Sequence, residues 1–260
     1  MTWHAALPMY NVSPRLQQGY ETLLSALLGA AGVRAALAHP DSLLDFWRRP
    51  DMLVSQTCGY PYVTQLRGQV QLIATPAYDF AGCEGSDYSS VLVARADSGV
   101  ACLADARGKV AAVNDRHSNS GMHALRRAVA PLAGGERFFA GVAWSGSHAA
   151  SVAMVREGGA DIAAIDCVTY GYLASEYPAR LDGLVAIGYS ARAPGLPFVA
   201  GRLAPPELVA RLRDALLAPG ARLRQAMQAL RIASFEHLDD AAYDRIDAQP
   251  HAHGWVPELA

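Results

Sequence analysis

Lysine is almost missing from this chain: Lys109 is the only one among 22 basic residues in a length of 260. The preference for arginine follows GC-rich coding and carries no functional message. Long apolar runs are missing too, and no stretch approaches the roughly 18–20 residues that a membrane span needs. Charge of one sign is never concentrated. The formal net charge is −2 without any block of like charges, so neither a nucleic-acid face nor a polybasic membrane anchor is expected. Metal-ligand spacing is absent as well. His251-Ala252-His253 resembles a metal pair only in composition, no further ligands stand nearby, and a solvated tail is the expectation. Cys58, Cys83, Cys102 and Cys167 do not define a framework, since two bridges and buried free thiols both fit so small a number. The first residues, Thr2-Trp3-His4-Ala5-Ala6-Leu7-Pro8, contain no basic leader and no long apolar region. The sequence as written therefore implies a cytoplasmic protein, or a periplasmic one if export is provided otherwise.

What the chain does have is alternation. Apolar residues make up 52% of it, much of that alanine, and short apolar runs alternate with helical patterns. This predicts an α/β protein with largely parallel sheets. Strands are expected near 2–7, 51–56, 70–75, 89–95, 109–113, 138–144, 161–165 and 184–189. Helices are expected near 14–29, 41–47, 58–67, 119–132, 147–158, 167–175, 206–218 and 221–230. The pattern breaks at Pro76, Gly82 and Gly85, and again at Arg192-Ala193-Pro194-Gly195-Leu196-Pro197, which predicts chain crossings near 81–87 and 188–194. Residues 1–80 and 195–260 then form one lobe and 88–187 the other. The polar tail after Ser234 is expected to be only partly ordered.

Polar turns follow three of these strands. Ser145-Gly146-Ser147-His148 opens one helix, and Ser118-Asn119-Ser120-Gly121 opens the helix that carries Leu125, Val129 and Leu132. Ser55-Gln56-Thr57-Cys58-Gly59-Tyr60 follows the strand Met52-Leu53-Val54. Free N–H groups and the positive dipole end at a helix start favour a phosphate, phosphonate, sulfonate or carboxylate, and the serines and histidine add donors. Gly121 and Gly146 let backbone approach a ligand without a side chain in the way. Together the turns point to one small anionic ligand.

The order of these pieces carries a resemblance. Leu103-Ala104-Asp105-Ala106-Arg107-Gly108-Lys109, Ser118-Asn119-Ser120-Gly121, Gly146-Ser147-His148 and Gly158-Gly159-Ala160-Asp161 follow one another as in the phosphate/phosphite/phosphonate substrate-binding proteins of ABC importers. Over residues 50–200 or so the chain resembles that family of type II periplasmic binding proteins. The resemblance implies a two-lobed α/β fold with a ligand cleft between the lobes. It also implies capture of a small oxyanion, above all a phosphonate or related phosphorus compound, without a cofactor and without chemical conversion. The expected partner is an ABC permease, and the expected state a monomer. In that family the serine-rich turn and the histidine of Gly-Ser-His contact the anion, which carries over to Ser118, Ser120 and His148. Asn119 stands where phosphonate binders often have threonine.

The residue types by themselves leave alternatives open. Ser118, Ser120, Ser145 and Ser147 suit N-caps as well as ligand donors. His148 is either a satisfied helix histidine or a donor to an oxyanion. Asp166 either caps the next helix or recognises an amine or hydroxyl on the ligand. Tyr10 and Tyr60 are rim packing or hydroxyl donors, while Gln56 and Thr57 are the first lobe's donors, and Asn119 joins the second turn's candidates. Cys58 is a structural thiol, a bridge to Cys83, or a nucleophile with His148 as base and Asp166 as orienter. A cytosolic ligand sensor and an enzyme on the same fold are the competing functions. The pyridoxal-phosphate enzymes that resemble binding proteins need an active-site lysine, and Lys109 opens a strand.

Overall fold

Ser13 sets the first long helix: its hydroxyl accepts the Leu16 N–H at 3.2 Å, and Pro14 takes the first helical position, where an N–H has no partner anyway. The computed structural model describes residues 2–246. In chain order its strands are β1 (His4–Ala6), β2 (Ala36–Leu37), β3 (Met52–Gln56), β4 (Val70–Tyr78), β5 (Asp87–Tyr88), β6 (Ser90–Arg95), β7 (Val110–Val113), β8 (Gly141–Trp144), β9 (Ile162–Asp166), β10 (Leu184–Tyr189), β11 (Ala193–Pro194), β12 (Phe198–Gly201) and β13 (Ile232–Glu236). The helices are α1 (Pro14–Ala30), α2 (Leu43–Trp47), α3 (Gly59–Pro61), α4 (Ala124–Ala133), α5 (His148–Arg156), α6 (Cys167–Glu176), α7 (Pro206–Leu217), α8 (Ala221–Ala229) and α9 (Asp240–Tyr243).

The chain divides into two compact units. Unit 1 runs to Asp79, takes in Glu84–Asp87 and resumes at Pro194; unit 2 holds Phe80–Cys83 and Tyr88–Ala193. In unit 1 the strand order is β13-β4-β12-β3-β1-β2. β1 is parallel to β2 and β3, whereas β12 is antiparallel to β3 and β4, with Phe198 opposite Gln56. The ends of β1 and β3 and the start of β12 therefore share one edge. Unit 2 has the order β10-β6-β9-β7-β8. There β7 is parallel to β8 and β9, and β6 is antiparallel to β9 with Ser90 opposite Asp166. This brings the residues after β7, β8 and β9 and those before β6 to one edge. Below that edge a core of Leu92, Ala111, Leu125, Val129, Phe138, Phe139 and Ile162 is sealed from solvent.

One expectation needs correction. The sheets are mixed rather than largely parallel, because β6 and β12, the first long strands after the chain changes unit, both insert antiparallel to their neighbours. Of the tail after Ser234, the structure describes residues 235–246. Phe235 meets Phe198 edge-on at 5.2 Å, and the Tyr243 hydroxyl pairs with Thr75 at 2.7 Å and donates to the Gly195 carbonyl at 3.2 Å. Arg245 grips both oxygens of Asp87 at 2.7 Å. Two aromatic anchors and one ion pair at irregular spacing hold this segment, and average composition hides them. His251 and His253 lie outside the described residues.

Candidate functional site

The polar edge of unit 2 begins where β7 ends. The chain leaves at Asn114 and turns through Asp115, whose carboxylate accepts the His117 N–H at 2.6 Å. It then enters a π-helical turn, Asn119–His123, that leads into α4. Ser118 caps this turn: its hydroxyl accepts the Gly121 N–H at 2.9 Å, and its carbonyl accepts the N–H groups of Met122 and His123 at 3.2 and 3.1 Å. Among the described residues the Ser120 N–H donates to no group, as expected where a widened turn leaves donors over. The Ser120 carbonyl accepts from the Ser90 hydroxyl at 2.9 Å, which ties the turn to the start of β6. Asn119 has its amide engaged at both ends, accepting from Arg127 at 3.1 Å and donating to the Tyr88 hydroxyl at 3.1 Å. His123 lies beneath the turn and donates from Nε2 to the Arg116 carbonyl at 3.2 Å.

Gly121 is required by close approach. A Cβ there would stand 1.7 Å from Asn114 Oδ1 and 3.1 Å from Ser118 Oγ. Gly121→Ala is expected to cost about 1–3 kcal/mol, the usual penalty of forcing volume into a filled site, measurable by urea denaturation. An unchanged midpoint would show that Asn114 can swing away freely.

The exit of β8 is stitched to that of β7. Ser145 N–H donates to the Val113 carbonyl at 2.9 Å and Gly146 N–H to the Asn114 carbonyl at 3.1 Å. Ser145 Oγ pairs with Ser151 Oγ at 2.6 Å, and Ser147 caps α5 by accepting the Ala150 N–H at 3.1 Å. The first residue of α5 is His148. Its Nε2 lies 2.9 Å from Ser120 Oγ, joining two turns 28 residues apart. Its Nδ1 is shielded from solvent without a well-formed hydrogen bond. Burial pulls its pKa down to about 4, opposed by the Ala164 backbone, so at neutral pH the ring is uncharged and carries one N–H. With the proton on Nε2, that N–H donates to Ser120 Oγ and leaves the Ser120 hydroxyl proton for an anion; the other tautomer uses that proton up.

Asp166 ends β9 and is sealed at 2% exposure. Its Oδ1 accepts the N–H groups of Val168 and Thr169 at 2.8 and 3.1 Å, so the start of α6 already holds a carboxylate. The starts of the π turn and of α5 are capped by uncharged serines instead. In unit 1, Gln56 donates from Nε2 to the Leu196 carbonyl at 3.0 Å, while its Oε1 is buried without a hydrogen-bond partner. Thr57 sends its N–H to the Pro197 carbonyl at 3.1 Å and its hydroxyl to the Cys58 carbonyl at 3.2 Å. Cys58 stands at the N-cap of α3 without a side-chain cap bond, and half-buried Tyr60 follows in the first turn; α3 runs on into a second π-helical turn, Tyr62–Leu66. Tyr10 follows β1 at the same edge, but its ring is packed against Tyr20 and Tyr78, with centroids 6.2 and 5.4 Å away.

His148 and Asp166 are both engaged within unit 2. The carboxylate of Asp166 caps α6, and the partner of His148 is Ser120. Cys83 lies 3.4 Å from Cys167, sulfur to sulfur, which corrects the pairing with Cys58. Replacing buried Cys58 with serine is expected to leave ligand affinity within about tenfold, or about 1.4 kcal/mol, by calorimetric titration. Ligand turnover abolished by this change would restore the enzyme reading. Lys109 immediately precedes β7, at the far end of that strand from Asn114, which removes it from the polar edge. Tyr88, Asn114, His123 and Arg127 carry no sequence signal of their role, because each acts through a partner distant in the chain.

Among the described residues no group of three or more His, Cys, Asp or Glu is placed to hold a metal ion, and no helix is long and apolar enough to cross a membrane. Residues 6–243 match the family described as "ABC transporter, phosphonate, periplasmic substrate-binding protein". The binding component of an ABC phosphonate transporter from Pseudomonas aeruginosa is similar, with a TM-score of 0.77 at 19% identity over 94% of this chain and 84% of that one. PhnD1 of Prochlorococcus marinus, solved with methylphosphonate, gives 0.80 at 15% identity over 95% and 96%. A Xanthomonas citri protein bound to ATP gives 0.70 at 18% identity over 94% of each chain. At such identities these structures show the fold, the two-lobed α/β fold of periplasmic binding proteins. With the family match spanning nearly all of the described residues, the chain belongs to the phosphonate substrate-binding proteins of ABC transporters, which bind a cargo and do not convert it.

Proposed function

We propose that the cargo is a small phosphorus oxyanion, first of all a phosphonate, and that the chain delivers it in the periplasm to the permease of an ABC importer. The Ser120–His148 contact at 2.9 Å carries this reading, because it converges two helix starts on one spot. There the Ser120 N–H, the first N–H groups of α5 and the Ser120 hydroxyl meet three phosphoryl oxygens. Ser118, Asn119, Ser145 and Ser147 hold the two turns in shape. Gln56, Thr57, Tyr60 and Tyr10 are the candidate ligand residues of unit 1 on its own polar edge, and in unit 2 Asp166 receives an amine when the ligand has one. The positive potential comes from the helix starts and from Arg126 and Arg127, which after burial add to the lowering of the His123 pKa.

Titration calorimetry with methylphosphonate, phosphite, phosphate and sulfate at physiological salt tests the reading. The expected result is micromolar or tighter binding of a phosphorus oxyanion, with sulfate at least about tenfold weaker, that is about 1.4 kcal/mol. Sulfate binding as tightly as any phosphorus compound would remove the phosphorus preference. Silence with all four would remove the oxyanion reading altogether.

A further inference from the structure

Two cysteines that the binding site does not use are held face to face. Cys83 ends the short stretch Phe80–Cys83 that the chain contributes to unit 2, and Cys167 opens α6 directly after Asp166. Their sulfurs are 3.4 Å apart. One residue frames both backbones: the Ser89 hydroxyl donates to the Gly82 carbonyl at 2.9 Å, and the Ser89 carbonyl accepts the Cys167 N–H at 3.1 Å. The stretch is also pinned by Phe80, whose ring meets Tyr172 edge-on at 5.0 Å. Gly171 makes that seat possible, since a Cβ there would fall 2.3 Å from Phe80 Cδ1. The sulfurs, 3.4 Å apart, are within about 1.4 Å of the bonding distance of about 2.05 Å.

We infer that Cys83 and Cys167 are a disulfide-forming pair that closes in an oxidising compartment. The oxidant is a disulfide donor, either a thiol–disulfide oxidoreductase or oxidised glutathione. Half-buried Cys83 is reachable, whereas Cys167 is buried, and its hydrogen bond with Cys83 together with burial keeps its thiol protonated. Cys83 therefore reacts first. Its thiolate attacks one donor sulfur and expels the other half of the donor as a thiolate, which takes up a proton. Cys167 then loses its proton, attacks the Cys83 sulfur in the mixed disulfide and expels the second half. Two protein thiols are oxidised, one donor disulfide is reduced to two thiols, and the protons balance. The bridge would join positions 84 apart, and a loop of that length constrains the unfolded chain strongly.

The full chain, purified without ligand, is equilibrated in graded glutathione buffers, alkylated, digested and read by mass spectrometry. The expected product is one peptide pair linking Cys83 to Cys167, with Cys58 and Cys102 alkylated. Oxidation should raise the melting temperature by roughly 5–15 °C, and the rise should vanish in Cys83→Ser and in Cys167→Ser. The inference is overturned by free Cys83 and Cys167 in the most oxidising buffer, by glutathione retained on Cys83 beside an alkylated Cys167, or by a bridge to another cysteine. If Cys167→Ser fails to fold, the peptide map of the parent protein decides alone. No ligand enters the test, so its outcome is independent of the cargo.

Discussion

Alanine at His148 is expected to weaken oxyanion binding roughly 10- to 150-fold, about 1.5–3 kcal/mol, and alanine at Ser120 to do the same. The two side chains act as one device. The 2.9 Å contact between His148 Nε2 and Ser120 Oγ fixes the Ser120 hydroxyl against the imidazole in either tautomer. Without His148, Ser120 loses its orientation; without Ser120, the imidazole loses its partner at Nε2 and the anion loses a donor. The double mutant should therefore cost little more than either single one, a coupling of the size seen for groups in direct contact. Stability should change less, because neither side chain is the cap: Ser118 and Ser147 hold those positions, each worth about 1 kcal/mol. Calorimetry and urea unfolding of the three variants separate these effects. Parent affinity in both single mutants, alongside a lowered midpoint, would reduce the pair to packing.

Acidification from pH 6.5 to 4 is expected to cost the protein about 3–5 kcal/mol of stability through two histidines. Burial brings both His123 and His148 down to about 4, in His123 with smaller contributions from Arg127 and Arg126. An unfolded histidine titrates near 6.5. Above that pH neither state binds the proton and the stability is fully present. Between 6.5 and 4 only the unfolded state binds it, so stability falls by about 1.4 kcal/mol per pH unit for each fully buried ring. His123, at 4% exposure, contributes nearly the whole amount, and half-buried His148 contributes less. Asp51 occupies a different window. The hydrogen bond from Arg49 holds its carboxyl near 2, so its loss comes only below the usual carboxylate range. Denaturant unfolding at half-unit pH steps for the parent, His123→Gln and His148→Gln reads the slopes directly. A parent slope that persists unchanged in both variants would assign the acid sensitivity to other groups.

Much of the architecture was legible wherever a local rule decides. Pro14–Ala30 shows a cap, a proline at the first position and helical periodicity, and Met52–Gln56 and Ile162–Asp166 are continuous apolar runs ending in polar residues. β12 and β13 were missed. Phe198–Gly201 is a strand only because it slots between β3 and β4, and Ile232–Glu236 only because β4 offers an edge. The site divides in the same way. The serine caps at Ser118 and Ser147 follow from type and position alone. That Asn119 is braced by Tyr88 and Arg127, that His123 props the Arg116 carbonyl, and that Cys83 faces Cys167 are consequences of strand order, which local spacing does not encode.

The position of Lys109 makes the protein easy to handle chemically. It is the only side-chain amine among 260 residues and stands just before β7, half-buried, whereas the polar turn proposed to hold the oxyanion begins where that strand ends. Four residues of strand, roughly 13 Å, separate the two. Among side chains an amine-reactive dye or surface linker can attach only there, with the α-amino group as the competing amine to be blocked first. An optical phosphonate sensor assembled this way would carry its label at one defined distance from the captured anion, with no engineered cysteine to compete with the native thiols.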